Sequence, residues 1–466
     1  MKRPNILLIQ TDQQRWDALG VNGNPHIQTP HLDQLAAEGI NFNHCFVQSP
    51  VCMPSRASLF SGQYPSTLGL QHMAVPVPDA MFTMHGLLHR YGYRTGCIGK
   101  LHFLPHGNRD HREPHPPYDF DHLEISDEPG CYEDAYRAWV RRKAPGALDH
   151  ISVGLPPAAG LWYRQVNYED TVQHPPERIL TCAQACRMDA GLTHSAFVGE
   201  QAIDYLRKAG PEPFFLAASF YSPHSPWVAP REFLDRYDPE KLPLPEFPPE
   251  LDRQRRDGHF GDTELRSVRQ GYYAMVTEVD HHVGRILAQL EESGLAEDTI
   301  VVFTSDHGEW LGEHLRYGKG YWAPDCISRV PLIIRWPAGI ADAGKTHSEI
   351  VEAVDIAATL LSAVGVPAPR ALHGNCLLPD IAHQCVPDDG LALTEYTGWR
   401  SLRLPGRRYV CTDDGEERFF DLEKDPGEYH NVADDFAYGS ELADVRRLLV
   451  RRMIGMERPH PLTWIY

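Results

Sequence analysis

The sequence predicts an α/β fold: a large, mainly parallel sheet flanked by helices, with a small C-terminal antiparallel sheet plus helix. Three observations predict it. Short continuous apolar runs such as "NILLIQ" (5–10) suit strands buried on both faces of a parallel sheet. These runs alternate with helical segments that end at glycine. Past residue 376 the alternation gives way to short strand patterns in close succession.

The elements follow in order. After "NILLIQ" comes "TPHLDQLAAEGI" (29–40), where Thr29 is the expected N-cap, Pro30 suits the first helical position and Gly39 stops the helix. The helix, glycine, strand order repeats in "MHGLLHRYGYRTGCIG" (84–99), "VGEQAIDYLRKAGPEPFFLAASFY" (198–221) and "RILAQLEESGLAEDTIVVFTSD" (285–306). From Leu265 to Glu291 a longer helix is expected. Tyr272, Met275, Val276, Val279, Val283, Ile286, Leu287 and Leu290 form one apolar stripe at helical spacing, which reads as a core face.

Residues 103–190 break the pattern. They are rich in Pro, His and aromatics, and a long insertion of this kind carries function or disorder. His106, His111, His115, Tyr118 and Trp162 are its candidates for lining a pocket mouth; an ordinary surface loop fits as well. The segment "GVPAPRALHGNCLLP" (365–379) marks a boundary. The expected organisation is a catalytic α/β domain at 1–375, containing the 103–190 insertion, and a small α+β subdomain at 376–466. "LALTEY", "RSLRL", "RRYVCT" and "RFFDL" supply the subdomain's strands, and a helix follows near 440–454.

Composition narrows the function. The 466 residues are 42% hydrophobic and 23% charged, ordinary for a soluble globular protein. A formal net charge of -19 argues against a sequence-independent grip on nucleic acid or on an anionic membrane. An anionic substrate must therefore be drawn in by a local positive site. No stretch has the apolar length to span a bilayer. "MKRPNILLIQTD" runs from basic residues into a strand and lacks a signal-peptide cleavage site, so the expected location is cytoplasmic. The ten cysteines lack the spacing of a disulfide scaffold; Cys182 and Cys186 could share a helix face, with reduced thiols as the default. The C-terminal "PHPLTWIY" is apolar enough to dock on its own core or on a second copy, which leaves a homo-oligomer open.

In open α/β sheets, sites form beyond the C-terminal ends of strands. Two predicted strands end in Asp12-Gln13 and Asp306-His307. One such end usually just caps a turn. Two of them supply two carboxylates, an amide oxygen and an imidazole. That set favours a hard divalent cation, Ca²⁺ first, with Mg²⁺, Mn²⁺ and Zn²⁺ also open. Other strand ends add Lys100 and His102 in "IGKLH" and His224 in "FYSPHSPW"; Lys319 in "RYGKG" lies just after the Asp306 element. A single lysine is usually solvated and a single loop histidine is usually surface. Their coincidence at strand ends suits a tetrahedral oxyanion ester held against a metal.

"CMPSRASLFSG" (52–62) resembles the sulfatase signature Cys-x-Pro-Ser-Arg. The resemblance extends along nearly the whole chain, through "PNILLIQTDQ", "TPHLDQLAAEGINF", "GYRTGCIGKLH", "TSDHGE", "VPLIIRWP", "VDIAATLLSAVGVP" and "FFDLEKDPGEYHN". It implies the alkaline-phosphatase-like fold and the type I sulfatase branch. In that family the motif cysteine is oxidised to formylglycine by a maturation enzyme that reads the Pro and Arg. The hydrated aldehyde carries two hydroxyls on one carbon; one attacks sulfur and the other expels sulfate. By this resemblance Asp12, Gln13, Asp306, His307 and the converted Cys52 hold one divalent cation. Arg56 steadies the nucleophile, Lys100, Lys319 and His224 bind sulfate, and His224 or Lys319 protonates the leaving oxygen. His102 is the base for the second step.

Gln13 and His307 replace the second Asp and the Asn of many sulfatases. The pairs resemble the branch that holds choline sulfatases and phosphonate monoester hydrolases. The expected activity is hydrolysis of a small-molecule or sugar sulfate ester; the alternative is phosphonate monoester or phosphodiester hydrolysis at the same site. Lys100-x-His102 favours sulfate. An inactive oxyanion-binding relative would lack a nucleophile or ligand, and none is missing here.

Overall fold

An eight-stranded sheet forms the centre of the protein. Its strands run in the order Lys345–His347, Ile40–Phe42, Leu332–Arg335, Thr299–Ser305, Asn5–Thr11, Phe214–Ser219, Arg94–Gly99 and His122–Ile125. Every neighbouring pair is parallel except the two made by Leu332–Arg335. The computed structural model describes residues 3–457 apart from 109, 257–259 and 379–389.

Strand Asn5–Thr11 is buried along its whole length. Ile6 and Leu8 enter one core layer with Phe60, Leu88, Phe215 and Ile356. Leu7 and Ile9 point the other way, into a layer with Phe197, Val283, Ile286 and Phe303. Side chains alternate across a strand, so a continuous apolar run fits only a strand covered on both faces. Helices Cys52–Ser61, Met84–Arg90 and Asp355–Ala363 cover the first face; His194–Arg207 and Asp262–Glu292 cover the second. The stripe on the last helix divides its work. Val279, Val283, Ile286 and Leu290 pack on the sheet, while Tyr272, Met275 and Val276 join a satellite cluster with Trp227 and Tyr237.

Two local expectations are corrected. Thr29 does not cap helix Pro30–Ala37. Its hydroxyl accepts from Gly20 N at 2.9 Å and lies 3.2 Å from the Asp33 carboxylate, so a tertiary bond wins over the local one. Cys182 and Cys186 share no helix. Between them Gln184–Ala185 is a short strand paired with Val228–Ala229.

In the 103–190 insertion, Trp162 is fully buried in a small cluster with Cys131 and Tyr132. His111 stacks on Tyr132 with ring centroids 3.8 Å apart. Tyr118 is buried and donates to Val77 O at 3.0 Å. Trp162 and His111 are therefore packing groups of the insertion's own core, and Tyr118 is one of the main core layer that holds Phe60 and Phe215. The strands Ala392–Tyr396, Trp399–Leu404, Arg407–Thr412 and Glu417–Asp421 form an antiparallel sheet against helix Gly439–Met456. Asp325 ties this sheet to the larger one: Arg403 Nε is 2.9 Å and Arg408 Nη2 is 2.5 Å from its Oδ1. The terminal "PHPLTWIY" lies outside the described residues. Among the described residues no helix is long and apolar enough to cross a membrane.

Candidate active site

Four adjacent parallel strands deliver side chains to one place. Asp306, Asp12 and Lys100 are the first residues after Thr299–Ser305, Asn5–Thr11 and Arg94–Gly99; His224 follows Phe214–Ser219 by five residues. Gly99 makes this possible. Its φ is 92°, and a Cβ there would lie 1.9 Å from Ser219 O. Without that close approach Lys100 N could not donate to Ser219 O at 2.9 Å.

Cys52 is the first residue of helix Cys52–Ser61, and all ten side chains of that helix are buried. Val51 at the N-cap offers no side-chain acceptor, so the helix start keeps its free N–H groups and positive dipole end for an anion. One turn on, Arg56 reaches the same place. Its Nε donates to Asp306 Oδ2 at 2.7 Å, and its Nη1 donates to Lys100 O at 2.7 Å and Ser219 Oγ at 2.8 Å. Ser55 Oγ donates to Asp306 O at 2.5 Å.

Around the thiol the charges alternate. Lys319 Nζ lies 2.6 Å from Cys52 Sγ, 3.1 Å from His307 Nε2 and 3.2 Å from His224 Nε2. Lys100 Nζ lies 2.7 Å from Asp12 Oδ2. Ligand atoms of Asp12, Cys52, Asp306 and His307, all buried, fall within 4.8 Å of one another. His307 Nδ1 donates to Gly308 O at 2.9 Å, which leaves Nε2 as the lone-pair nitrogen facing the cluster. Burial, then Lys319, pushes the His307 pKa down to about 4, so the ring is neutral near pH 7. Gln13 Oε1 is buried with no hydrogen-bond partner among the described residues. An orphaned amide oxygen, two carboxylates and a neutral imidazole nitrogen suit a hard divalent cation.

The same environment disables the unmodified thiol. Burial, then Asp12, raises the Cys52 pKa to about 12. Burial opposes charge on Lys100 as well, yet Asp12 keeps its pKa above the ordinary lysine value. Burial followed by Lys319 lowers the His224 pKa well below normal. His224 Nδ1 donates to Ser225 O at 2.7 Å, so its Nε2 accepts from Lys319.

Every predicted site residue except Gln13 and His102 touches another predicted residue through its side chain. Gln13 turns its amide nitrogen to Glu309, while its backbone N donates to Asp306 Oδ1 at 3.0 Å. His102 is buried two residues past Lys100, with its ring 4.6 Å from that of His106 and its backbone N donating to Asp127 Oδ1 at 2.8 Å. Among the described contacts its side chain makes none with Cys52. Sequence reasoning missed Ser55, Ser219, Tyr272 and Glu309. Ser55 and Glu309 lie inside quoted motifs, "CMPSR" and "TSDHGE"; Ser219 and Tyr272 carry no local signal because long-range packing alone brings them here.

This sheet and buried cluster define a member of the alkaline phosphatase superfamily. Within it the chain belongs to the sulfatase family: the family model described as Sulfatase matches residues 4–366. An arylsulfatase from Clostridium perfringens is 31% identical, over 98% of this chain and 95% of that protein. A multifunctional alkaline phosphatase superfamily protein, PehA, from Trinickia caryophylli is 29% identical, over 95% of this chain and 94% of that protein.

 Among solved structures, the phosphonate monoester hydrolase of Agrobacterium radiobacter superposes with a TM-score of 0.80 at 25% identity, covering 97% of this chain and 96% of that one. The chain is a sulfuric ester hydrolase.

Proposed function

We propose that the protein hydrolyses a small-molecule or sugar sulfate ester, using formylglycine made from Cys52 and one divalent cation, Ca²⁺ in the first instance. The observation that carries this reading is the contact set of Cys52. A thiol pushed up to about 12 is a poor nucleophile, yet it sits at a free helix N-terminus, 2.6 Å from Lys319 Nζ and beside His307. That environment suits an oxidised residue better than a thiolate. A hydrated aldehyde here would supply one hydroxyl to take the sulfuryl group and a second to expel it. Asp12, Gln13, Asp306 and His307 would hold the cation, which supplies charge neutralisation for the oxyanion and acidifies a hydroxyl beside it.

The chain's own residues divide the remaining work. Arg56 keeps the Asp12 and Asp306 carboxylates in place. Lys100 and Lys319 provide two fixed positive charges for sulfate oxygens. His224 is neutral and accepts from Lys319, so the proton available to a leaving oxygen is on Lys319. His102, also kept neutral by burial and by His106, is the candidate base for sulfate release. Its Nδ1 is buried without a partner among the described residues.

The phosphonate hydrolase likeness favours a second reading. Phosphonate monoesters and phosphodiesters carry one negative charge, as sulfate monoesters do, so the cationic site alone does not discriminate. Converted enzyme should be assayed on paired aryl sulfate and aryl phosphonate esters. The sulfatase reading expects the higher kcat/KM on a sulfate and loss of turnover in Cys52→Ala. A much higher kcat/KM on the phosphonate than on every sulfate tried transfers the function to the second reading. Screening aryl, sugar and choline sulfates then identifies the leaving group.

A further inference from the structure

We propose that Glu309 is a positioning residue: it selects the orientation of the Gln13 amide and so aims the Gln13 oxygen at the cation. This rests on the reading of Gln13 as a cation ligand. Glu309 has no exposed surface. Its Oε2 accepts from Gln13 Nε2, and its Oε1 accepts from Leu311 N at 3.1 Å and from Gly318 N at 2.6 Å.

The two backbone donors pin the carboxylate. They belong to the neck of the loop that leads to Lys319, where Trp310 N also donates to Gly318 O at 3.1 Å. Burial opposes charge on this carboxyl, while the N–H groups of Leu311 and Gly318 favour its ionised form; as a carboxylate it offers lone pairs only, so the NH₂ end of Gln13 faces it. The amide oxygen then turns away, and it is the buried oxygen without a partner.

Nothing else on Gln13 can make that choice. Its backbone is fixed at a φ of 71°, with its N bonded to Asp306 Oδ1 at 3.0 Å and its carbonyl accepting from the Tyr272 hydroxyl at 2.8 Å. Only the side-chain amide remains to be oriented. A flip would set two oxygens against each other at Glu309 and leave a donor where a cation needs an acceptor. Glu309 thus acts through Gln13, without touching substrate.

The test is calorimetric titration of Ca²⁺ alone into full-length wild type, Glu309→Gln, Gln13→Ala and the double variant Glu309→Gln/Gln13→Glu. In Glu309→Gln an amide faces an amide, and Ca²⁺ affinity should fall about 10- to 100-fold. The double variant reverses the pair. The new amide at 309 can donate to the new carboxylate at 13 and still accept from Leu311 N and Gly318 N. It should recover most of the lost affinity. Unchanged affinity in Glu309→Gln, or a loss that the double variant does not repair, overturns the proposal. Wild-type Ca²⁺ affinity in Gln13→Ala overturns the ligand reading itself. A Gln13→Ala loss beside an unaffected Glu309→Gln rejects the positioning role alone.

Discussion

At Arg56 a guanidinium with no exposed surface is held by acceptors from several strand ends, including both acidic candidates, Asp12 and Asp306. Removing one member of a buried ion pair leaves the other uncompensated. Arg56→Met should therefore cost about 3–5 kcal/mol of stability, read from denaturant unfolding. A loss within the error of a surface substitution would contradict the pairing. Lys319 differs because it is only partly buried and has no such scaffold role. Lys319→Ala should leave stability nearly unchanged and lower kcat/KM on an aryl sulfate about 10²- to 10⁴-fold, the range for a lost proton donor. The roles of these residues were partly legible in the chain. Asp12, Lys100 and Asp306 stand directly after apolar runs, so local pattern placed them. Glu309 stands in a quoted motif, but its work depends on Gln13, which is remote in sequence.

Helix Met84–Arg90 shows the same division at the scale of an element. Its start was legible, and Thr83 caps it by accepting from Gly86 N at 3.1 Å. The role of His85 was not, because it comes from contacts with a distant segment. Its ring stacks on Phe120 at 3.8 Å between centroids, and Nε2 donates to Tyr118 O at 2.7 Å. Burial pushes its pKa down to about 3. The folded value lies below the unfolded value of about 6.5. The contribution to stability is therefore complete above about pH 6.5 and is lost as pH falls toward about 3. Within that window the slope is up to about 1.4 kcal/mol per pH unit. His85→Leu should flatten the acid side of the stability profile relative to wild type; equal slopes between pH 6 and 4 would remove His85 as a cause. Elsewhere long-range packing also decided. Thr29 turns to Gly20 instead of capping its helix, and the segment between Cys182 and Cys186 pairs as a strand.

Across the whole molecule the sheet order matters more than any single element. Parallel neighbours bring Asp306, Asp12, His224 and Lys100 to one edge, and the Cys52 helix starts beside them. Alternation of apolar runs and helices announced a parallel sheet, but strand order depends on pairings between remote segments and was not readable. The small C-terminal sheet was readable from its short strands, and Asp325 joins it to the rest through Arg403 and Arg408. The central claim is that this assembled site works through an oxidised Cys52. The most direct measurement is the mass of the Cys52 peptide in preparations made with graded amounts of maturation enzyme, set against aryl sulfate turnover in each. Turnover should rise in proportion to the fraction carrying the aldehyde and extrapolate to near zero when all of the peptide retains its thiol. Full turnover in a preparation whose peptide is entirely thiol would contradict the account.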